Sequence, residues 1–383
     1  MLNSRVKYVV FYTENNRENR HGALSAKSKI DYISQILTQE NFKVEIVSAS
    51  WTNNLYGIYK GSKNNLSKNI LLRQFFTFGS KNRIGRCLKY FVSLFQIFLY
   101  LLIFTKKDEN IMIYHSIILY FPIKLLKKMK KINIILEVEE IYQDIQLMPN
   151  YMKKIEQKLF DIADMYIFST ELLNEKLNKK NKPHVVIYGT YKVEEKITSK
   201  FTDGKIHLVY AGTLDCRKGG AQVAISTGEY LNEKFHIHIL GFGDEKEKKE
   251  VKKLIEETQK KTNCQITYEG ILFGADYIKF IQKCHLGLST QVSIGEYNDS
   301  SFPSKILSYM SNGLRVLSTK IKVLEVSKIN KLLYFYDSHN PKDIADEILK
   351  INFNDNYNGQ MEIEFLNREF KKNINKILGL KNG

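Results

Sequence analysis

Short apolar runs rich in Val, Ile, Tyr and Phe recur along the whole chain, separated by longer stretches with helical periodicity, and no other feature restricts the fold as severely. The first half carries VKYVVFY (6–12), FKVEIVSA (42–49), NIMIYHS (110–116), INIILEVE (132–139), MYIFST (165–170) and HVVIYG (184–189). Between them lie segments such as SKIDYISQILTQ (28–39), with apolar residues at helical spacing. That alternation implies βα units and a parallel sheet.

Around 192–205 the composition turns polar and charged, KVEEKITSKFTDGK, as expected of an interdomain linker. The pattern then restarts with IHLVYAGT (206–213), FHIHILGFG (235–243), QITYEG (265–270), LGLST (286–290), LRVLST (314–319) and LLYFY (332–336). A chain of 383 residues exceeds one ordinary hydrophobic core. The expectation is two α/β domains, 1–198 and 199–383, with a final helix in FLNREFKKNINKILGL (365–380) whose docking partner is not readable.

The excess of 58 Lys+Arg over 41 Asp+Glu, +17 in all, favours anionic partners such as nucleic acid, acidic membrane or phosphorylated small molecules. The four cysteines are scattered, with no C-x-x-C pair and no histidines near them at metal-ligand spacing. A reducing, cytoplasmic setting without structural zinc is expected. The opening MLNSRVKYVVFY has too short an apolar run for a signal-peptide core and suits a first strand.

The segment YFVSLFQIFLYLLIF (90–104) is the most apolar in the chain. As a helix of that length it reaches only about 22 Å, short of the roughly 30 Å hydrocarbon core. It suits either a helix buried in an α/β domain or one dipped into a bilayer surface on the inner face of the membrane, beside the basic run KLLKKMKK (124–131).

Ligands of open α/β sheets bind beyond the carboxyl ends of the strands, and four loops of the second half carry chemistry there. YAGTLDCRKGG (210–220) offers Gly212, Thr213 and Lys218, small residues for backbone approach to phosphate and a point charge. GFGDE (241–245) places Gly243 before an acidic helix start; it is neither a dinucleotide fingerprint nor a P-loop. In YEGILFGADY (268–277), backbone groups of Gly270, Ile271 and Leu272 suit a flat base. SFPSKILSYMSNG (301–313) reads as a helix start with Ser301 as cap, Pro303 in the first turn, and Phe302, Ser304, Lys305 and Ser308 around a phosphate site.

The ordered set YAGTLD…KGG, ILGFGDE, ITYEG and SFPSKILSYMSNGLRVLST resembles the donor half of GT-B glycosyltransferases of the family-4 type, over about 206–320. The resemblance implies two Rossmann-like domains facing across a cleft. The second would bind a UDP- or GDP-linked sugar as substrate, and the first the acceptor, a glycan or lipid-linked saccharide in capsule, exopolysaccharide or lipopolysaccharide synthesis. It implies retention of anomeric configuration, no metal and no separate cofactor. Lys218 stands where the family has its diphosphate-binding lysine, and Thr213 where many members have arginine. The two glutamates of the family's E-x7-E motif are replaced by Ser300 and Ser308. Glu296 or Asp299 is the nearest substitute carboxylate.

In the first half, Gly22 falls where the family has a glycine loop near the donor phosphates. His115 ends a strand and, with an ordinary pKa near 6.5, would serve as base or hydrogen-bond partner. Glu137 and Glu139 alternate to one side of their strand and Glu140 reaches the loop, so Glu139 or Glu140 is expected to orient acceptor hydroxyls. No Asp-x-Asp occurs; Glu137-Val-Glu139 is its nearest imitation. The rivals are a nucleotide-sugar epimerase of similar build and a basic nucleic-acid-binding protein, the latter disfavoured because no nucleic-acid-binding signature is present.

Overall fold

The computed structural model describes residues 5–14, 16–22, 24–290 and 301–379. The chain forms two units, one of residues up to 190 together with those from 369 on, the other of 191–368.

The first unit runs β1 (Arg5–Val10), α1 (Leu24–Gln39), β2 (Lys43–Ser48), β3 (Ile58–Tyr59), β4 (Ser62–Ser67), β5 (Ile70–Gln74), β6 (Thr77–Phe78), α2 (Arg83–Phe104), β7 (Asn110–Tyr114), α3 (Tyr120–Met129), β8 (Asn133–Val138), α4 (Tyr142–Ile145), α5 (Asn150–Ile162), β9 (Met165–Phe168), α6 (Glu171–Leu177) and β10 (His184–Val186). Its sheet has the order β10-β9-β8-β7-β1-β2-β5-β4. All neighbours are parallel except the edge strand β4, which turns back on β5. Central strands covered on both faces need apolar side chains in both directions, which is why β1 and β2 are buried from their second residue onward.

The second unit contains β11 (Ile206–Thr213), α7 (Gly220–Thr227), β12 (Phe235–Phe242), α8 (Glu245–Gln259), β13 (Gln265–Gly270), α9 (Gly274–Lys283), β14 (Leu286–Ser289), α10 (Lys305–Ser311), β15 (Arg315–Thr319), α11 (Lys322–Glu325), β16 (Leu333–Tyr336) and α12 (Pro341–Lys350). Its all-parallel sheet has the order β13-β12-β11-β14-β15-β16. The order reverses between β11 and β14, so the loops after these two strands open side by side. On one face Leu208, Tyr210, Ile237, Ile239 and Ile266 form a core with Ala221, Ala224, Val251 and Ile344.

Two expectations change, and one element was not expected at all. The strand hairpin over 58–78 gave no readable signal, because β4 (SKNNLS) is polar and largely exposed. The stretch expected to be a linker is instead strapped onto the second unit: Glu194 N donates to Ser311 O at 3.1 Å, Ile197 N to Gln282 Oε1 at 2.9 Å and Phe201 N to Lys283 O at 3.1 Å. The end of the chain, expected in the domain 199–383, belongs from residue 369 to the first unit. There α13 (Gly359–Ile377) stacks Phe370 on Tyr32 at 6.1 Å, and Asn375 Nδ2 donates to Glu40 Oε2 at 2.5 Å.

Because Phe370 is buried, Phe370→Ala should destabilise the first unit by about 3–5 kcal/mol, the cost of an aromatic cavity. Urea denaturation of the full chain should show the transition midpoint falling.

Candidate functional site

The loops after β11 and β14 meet at one aromatic ring. Tyr210 points from β11 toward α7, and its hydroxyl donates to the Thr213 carbonyl at 2.9 Å. A side chain at Gly220 would place its Cβ 2.8 Å from that ring, and one at Gly212 would lie 3.0 Å from both the Tyr210 hydroxyl and Lys305 Nζ. The glycines of YAGTLDCRKGG therefore first make room for Tyr210 and Lys305. Gly219, at φ +61°, then reverses the chain into α7, and Thr290 Oγ1 holds the Gly220 carbonyl at 2.7 Å.

Lys305 opens α10 and lays its ammonium over Tyr210, 4.2 Å from the ring centroid. The residue is half-buried, but its Nζ is sealed from solvent and has no hydrogen-bond partner among the described residues. Burial, and to a smaller extent the charge of Lys218, push this ammonium down to about 7. The two lysines are thus electrostatic neighbours on loops that converge. The Thr213 hydroxyl is likewise buried without a partner among the described residues. A buried ammonium without an acceptor is costly unless an anion completes it. Tyr309 keeps the frame closed: its hydroxyl accepts from Ala211 N at 2.8 Å, and its ring fills the space beside Gly287, where a Cβ would sit 2.3 Å away.

The other expected residues are distributed around this centre. Gly243 follows β12 under Glu247, whose carboxylate would meet a Cβ at 2.6 Å; Asp244 and Glu247 form a capping box on α8. Gly270 adopts φ +76° with open space around it, followed by exposed Ile271 and half-buried Leu272. Tyr268 ties that loop to the end of β12 through the Gly241 carbonyl at 3.1 Å. Ser301 is not the helix cap: α10 begins at Lys305, with Ser304 in the cap position making no side-chain cap bond. Ahead of it Phe302 is buried, and Pro303 O accepts from Ile306 N at 3.1 Å. Ser308 Oγ lies 3.3 Å from the Tyr277 hydroxyl. Glu296, Asp299 and Ser300 lie outside the described residues. Tyr210, Tyr277, Thr290 and Tyr309 were not singled out from sequence; their signal, polar aromatics and a hydroxyl flanking the glycine loops, is indistinguishable there from ordinary core.

In the first unit, Gly22 precedes α1 with its backbone close to the Phe11 carbonyl. His115 does end β7, in a cavity of about 140 Å³ lined also by Phe11, His21, Ile30 and Tyr142. Its ordinary titration is not retained. Burial drives the ring down to about 3, so it is neutral at physiological pH and a poor base. Tyr142 stacks on it at 4.5 Å, and its Nε2 lies 3.3 Å from Glu156 Oε1 without hydrogen-bond alignment. Glu137 and Glu139 do share one side of their strand, yet neither is free to orient a substrate. Glu137 is buried against the Tyr8 hydroxyl, which donates to it, and burial raises its carboxyl to about 8. Glu139 is ion-paired with Lys29, which also donates to the Ile187 carbonyl at 3.0 Å. Glu140, half-buried and raised by burial, is the carboxyl left at the loop.

Comparisons with known proteins bear on both units. Residues 205–352 match the model of the family described as glycosyl transferases group 1. No curated protein matches the chain. Among solved structures, an E. coli protein described as trehalose-6-phosphate and bound with UDP-2-fluoro glucose is similar over 98% of this chain and 99% of its own, with TM-score 0.67 and 11% identity. Sucrose-phosphate synthase from Thermosynechococcus elongatus is similar over 98% of both chains, with TM-score 0.67 and 12% identity. Anabaena HepE, in complex with UDP and glucose, is similar over 97% of this chain and 100% of its own, with TM-score 0.62 and 11% identity. The chain therefore has a GT-B-like fold along its length, and the match to the glycosyl transferases group 1 model falls within its second unit.

Proposed function

We propose that the protein is a retaining glycosyltransferase that takes a sugar from a nucleoside-diphosphate sugar, with the diphosphate bound by Lys305, Lys218, Thr213 and the amides at the start of α7. The observation that carries this reading is the sealed, unpartnered ammonium of Lys305 beside Gly212. As the glycosidic bond to the leaving diphosphate breaks, negative charge grows on the phosphate oxygens, and two ammonium groups already in place stabilise it without reorganisation. Several of the similar solved structures hold UDP or a UDP-sugar, which favours a uridine donor here. Gly270, Ile271 and Leu272 are the backbone assigned to the base.

The acceptor is proposed to be a lipid-linked saccharide of surface-polysaccharide synthesis, met at the inner face of a membrane. The support lies in α2, which is longer than the 15-residue stretch read from sequence because Asn82 caps it and Arg83–Lys89 continue it; its 22 residues are long and apolar enough to cross a membrane. Its buried face, with Lys89, Ser93, Ile97 and Leu101, packs on its own unit, so it lies along the protein. The opposite face exposes Ile84, Leu88, Phe91, Phe95, Leu99 and Ile103, the aromatic pair at 63% and 47%. Neighbouring α3 exposes Phe121, Leu125 and Met129 beside Lys124 and Lys128, a pairing of apolar and cationic side chains suited to anionic headgroups.

Lys305→Met should lower donor affinity and transfer rate by roughly tenfold or more while leaving Tm unchanged or raised, since it removes a buried, unpaired charge. Lys218→Ala should lower transfer similarly. Isothermal titration with UDP-sugars and a radiolabelled transfer assay read both effects, and undiminished transfer by either variant defeats the reading.

The pH dependence has a defined sign. In the free protein Lys305 loses its proton near about 7, and a bound diphosphate restores a higher pKa. Binding should therefore take up a proton above that pH, and affinity should fall as pH rises from about 7 toward the pKa of the complex. Titrations at about pH 8 in buffers of different ionisation heat measure the uptake directly; Lys305→Met should abolish it.

Replacing Phe91, Phe95 and Leu99 together by Ser should reduce flotation with vesicles of anionic phospholipid by about tenfold, several buried apolar groups being lost, while UDP-sugar binding persists. Unchanged flotation removes the membrane part of the proposal and leaves the donor part standing.

A further inference from the structure

Strand alternation divides the residues of the second sheet between two environments. Leu208, Tyr210, Ile237, Ile239 and Ile266 enter the apolar core. The residues between them, His207, His236, His238, Thr267 and Glu269, point to the other face. There the three histidines are buried, and one ring nitrogen from each lies within 4.8 Å of the others. Phe201 of the strap stacks on His207 at 4.1 Å, and Phe280 of α9 meets His238 edge-on at 5.1 Å, closing the cluster from above.

The hydrogen bonds within this cluster do not balance for neutral rings alone. His207 Nε2 is 2.8 Å from Asp203 Oδ1, and His238 Nδ1 is 2.8 Å from Glu269 Oε1, so both of these nitrogens carry hydrogens and donate to carboxylates. The remaining nitrogens, His207 Nδ1 and His238 Nε2, face each other at 2.8 Å. If both rings are neutral, two lone pairs are opposed in a buried site with nothing between them. His236 Nε2 is engaged by the Thr267 hydroxyl at 3.0 Å, and that hydroxyl in turn donates to Glu269, which leaves the other ring nitrogen of His236 as an acceptor. A cation placed among the ring nitrogens, one from each histidine within 4.8 Å of the others, removes the conflict between His207 and His238. Two carboxylates on the outer N–H groups are the arrangement that fixes the tautomer of metal-bound histidine and raises its basicity.

We propose that His207, His236 and His238 form a site for one divalent transition-metal ion of the class that prefers imidazole, with Zn²⁺ as its representative, oriented by Asp203 and Glu269. Zinc-to-nitrogen distances of about 2.0–2.1 Å require the facing nitrogens to part by a few tenths of an ångström. His207 and His236 stand at the amino-terminal ends of β11 and β12, about 16 Å along the strand from Gly212. The ion is structural, joining two neighbouring strands beneath the strap, and the inference is independent of the donor-site reading.

The test loads the full chain with Zn²⁺, removes excess ion by gel filtration, and counts bound metal by mass spectrometry. The expected result is about one zinc per chain, a Tm that rises with added Zn²⁺, and a visible absorption band when Co²⁺ replaces it. His238→Gln and His236→Gln should lose the bound ion and the zinc-dependent Tm shift, whereas His184→Gln, on the first unit, should keep both. Should the variants not fold, ¹⁵N NMR of wild-type histidines decides: zinc should shift His207 and His238 together. Absence of stoichiometric zinc from the folded wild type, with one proton shared between the two rings in NMR, overturns the proposal in favour of a proton-bridged pair. Zinc retained undiminished by His238→Gln also overturns it.

Discussion

The ring of Tyr210 organises the second unit's chemistry. It needs Gly212 and Gly220 to be without side chains, it supports the ammonium of Lys305, and its hydroxyl holds the carbonyl of Thr213. Cation–π attraction at a desolvated site is worth about 2 kcal/mol, less than the cost of stripping water from an ammonium, so the charged form of Lys305 carries a deficit that an anionic ligand would offset. A binding site held short of one partner is pre-organised: the reorganisation cost is met by folding rather than at the moment of binding.

The first unit solves the opposite problem. Its carboxylates near the end of β8 are engaged from within, Glu137 at one oxygen by Tyr8, Glu139 by Lys29, and Glu156 of α5 by the amides of Tyr142 and Gln143 at 2.8 and 3.3 Å. Its cavity is lined by a neutral histidine, His115, between the rings of Tyr142 and Phe160, while Glu140, raised by burial, sits at the loop after β8.

Much of this was legible from residue order. Each apolar run expected to be a strand is one, because parallel strands covered on both faces are written as unbroken hydrophobic stretches. Loop positions followed from the strands, and Lys305 from its place after β14. Residues whose meaning depends on distant partners were not legible. Lys29 meets Glu139 across 110 positions, so the carboxylate looked available. His236 and His238 alternate on β12, but the third histidine, His207, joins them from β11, so no continuous stretch of sequence writes the cluster. His115 reads as an ordinary titrating ring until its burial is known. The hairpin over 58–78 and the docking of α13 are set by edge pairing and by single contacts such as Phe370 on Tyr32, which leave no periodic trace.

The fit of Tyr309 against Gly287 has an evolutionary corollary. The ring occupies the volume that any larger residue at 287 would claim, while its hydroxyl is committed to the amide of Ala211. In diverging descendants of this chain the two positions cannot drift separately. A gain of bulk at 287 demands a shorter residue at 309, and that exchange would strip the β11 amide of its acceptor, so the pair should be inherited as a block.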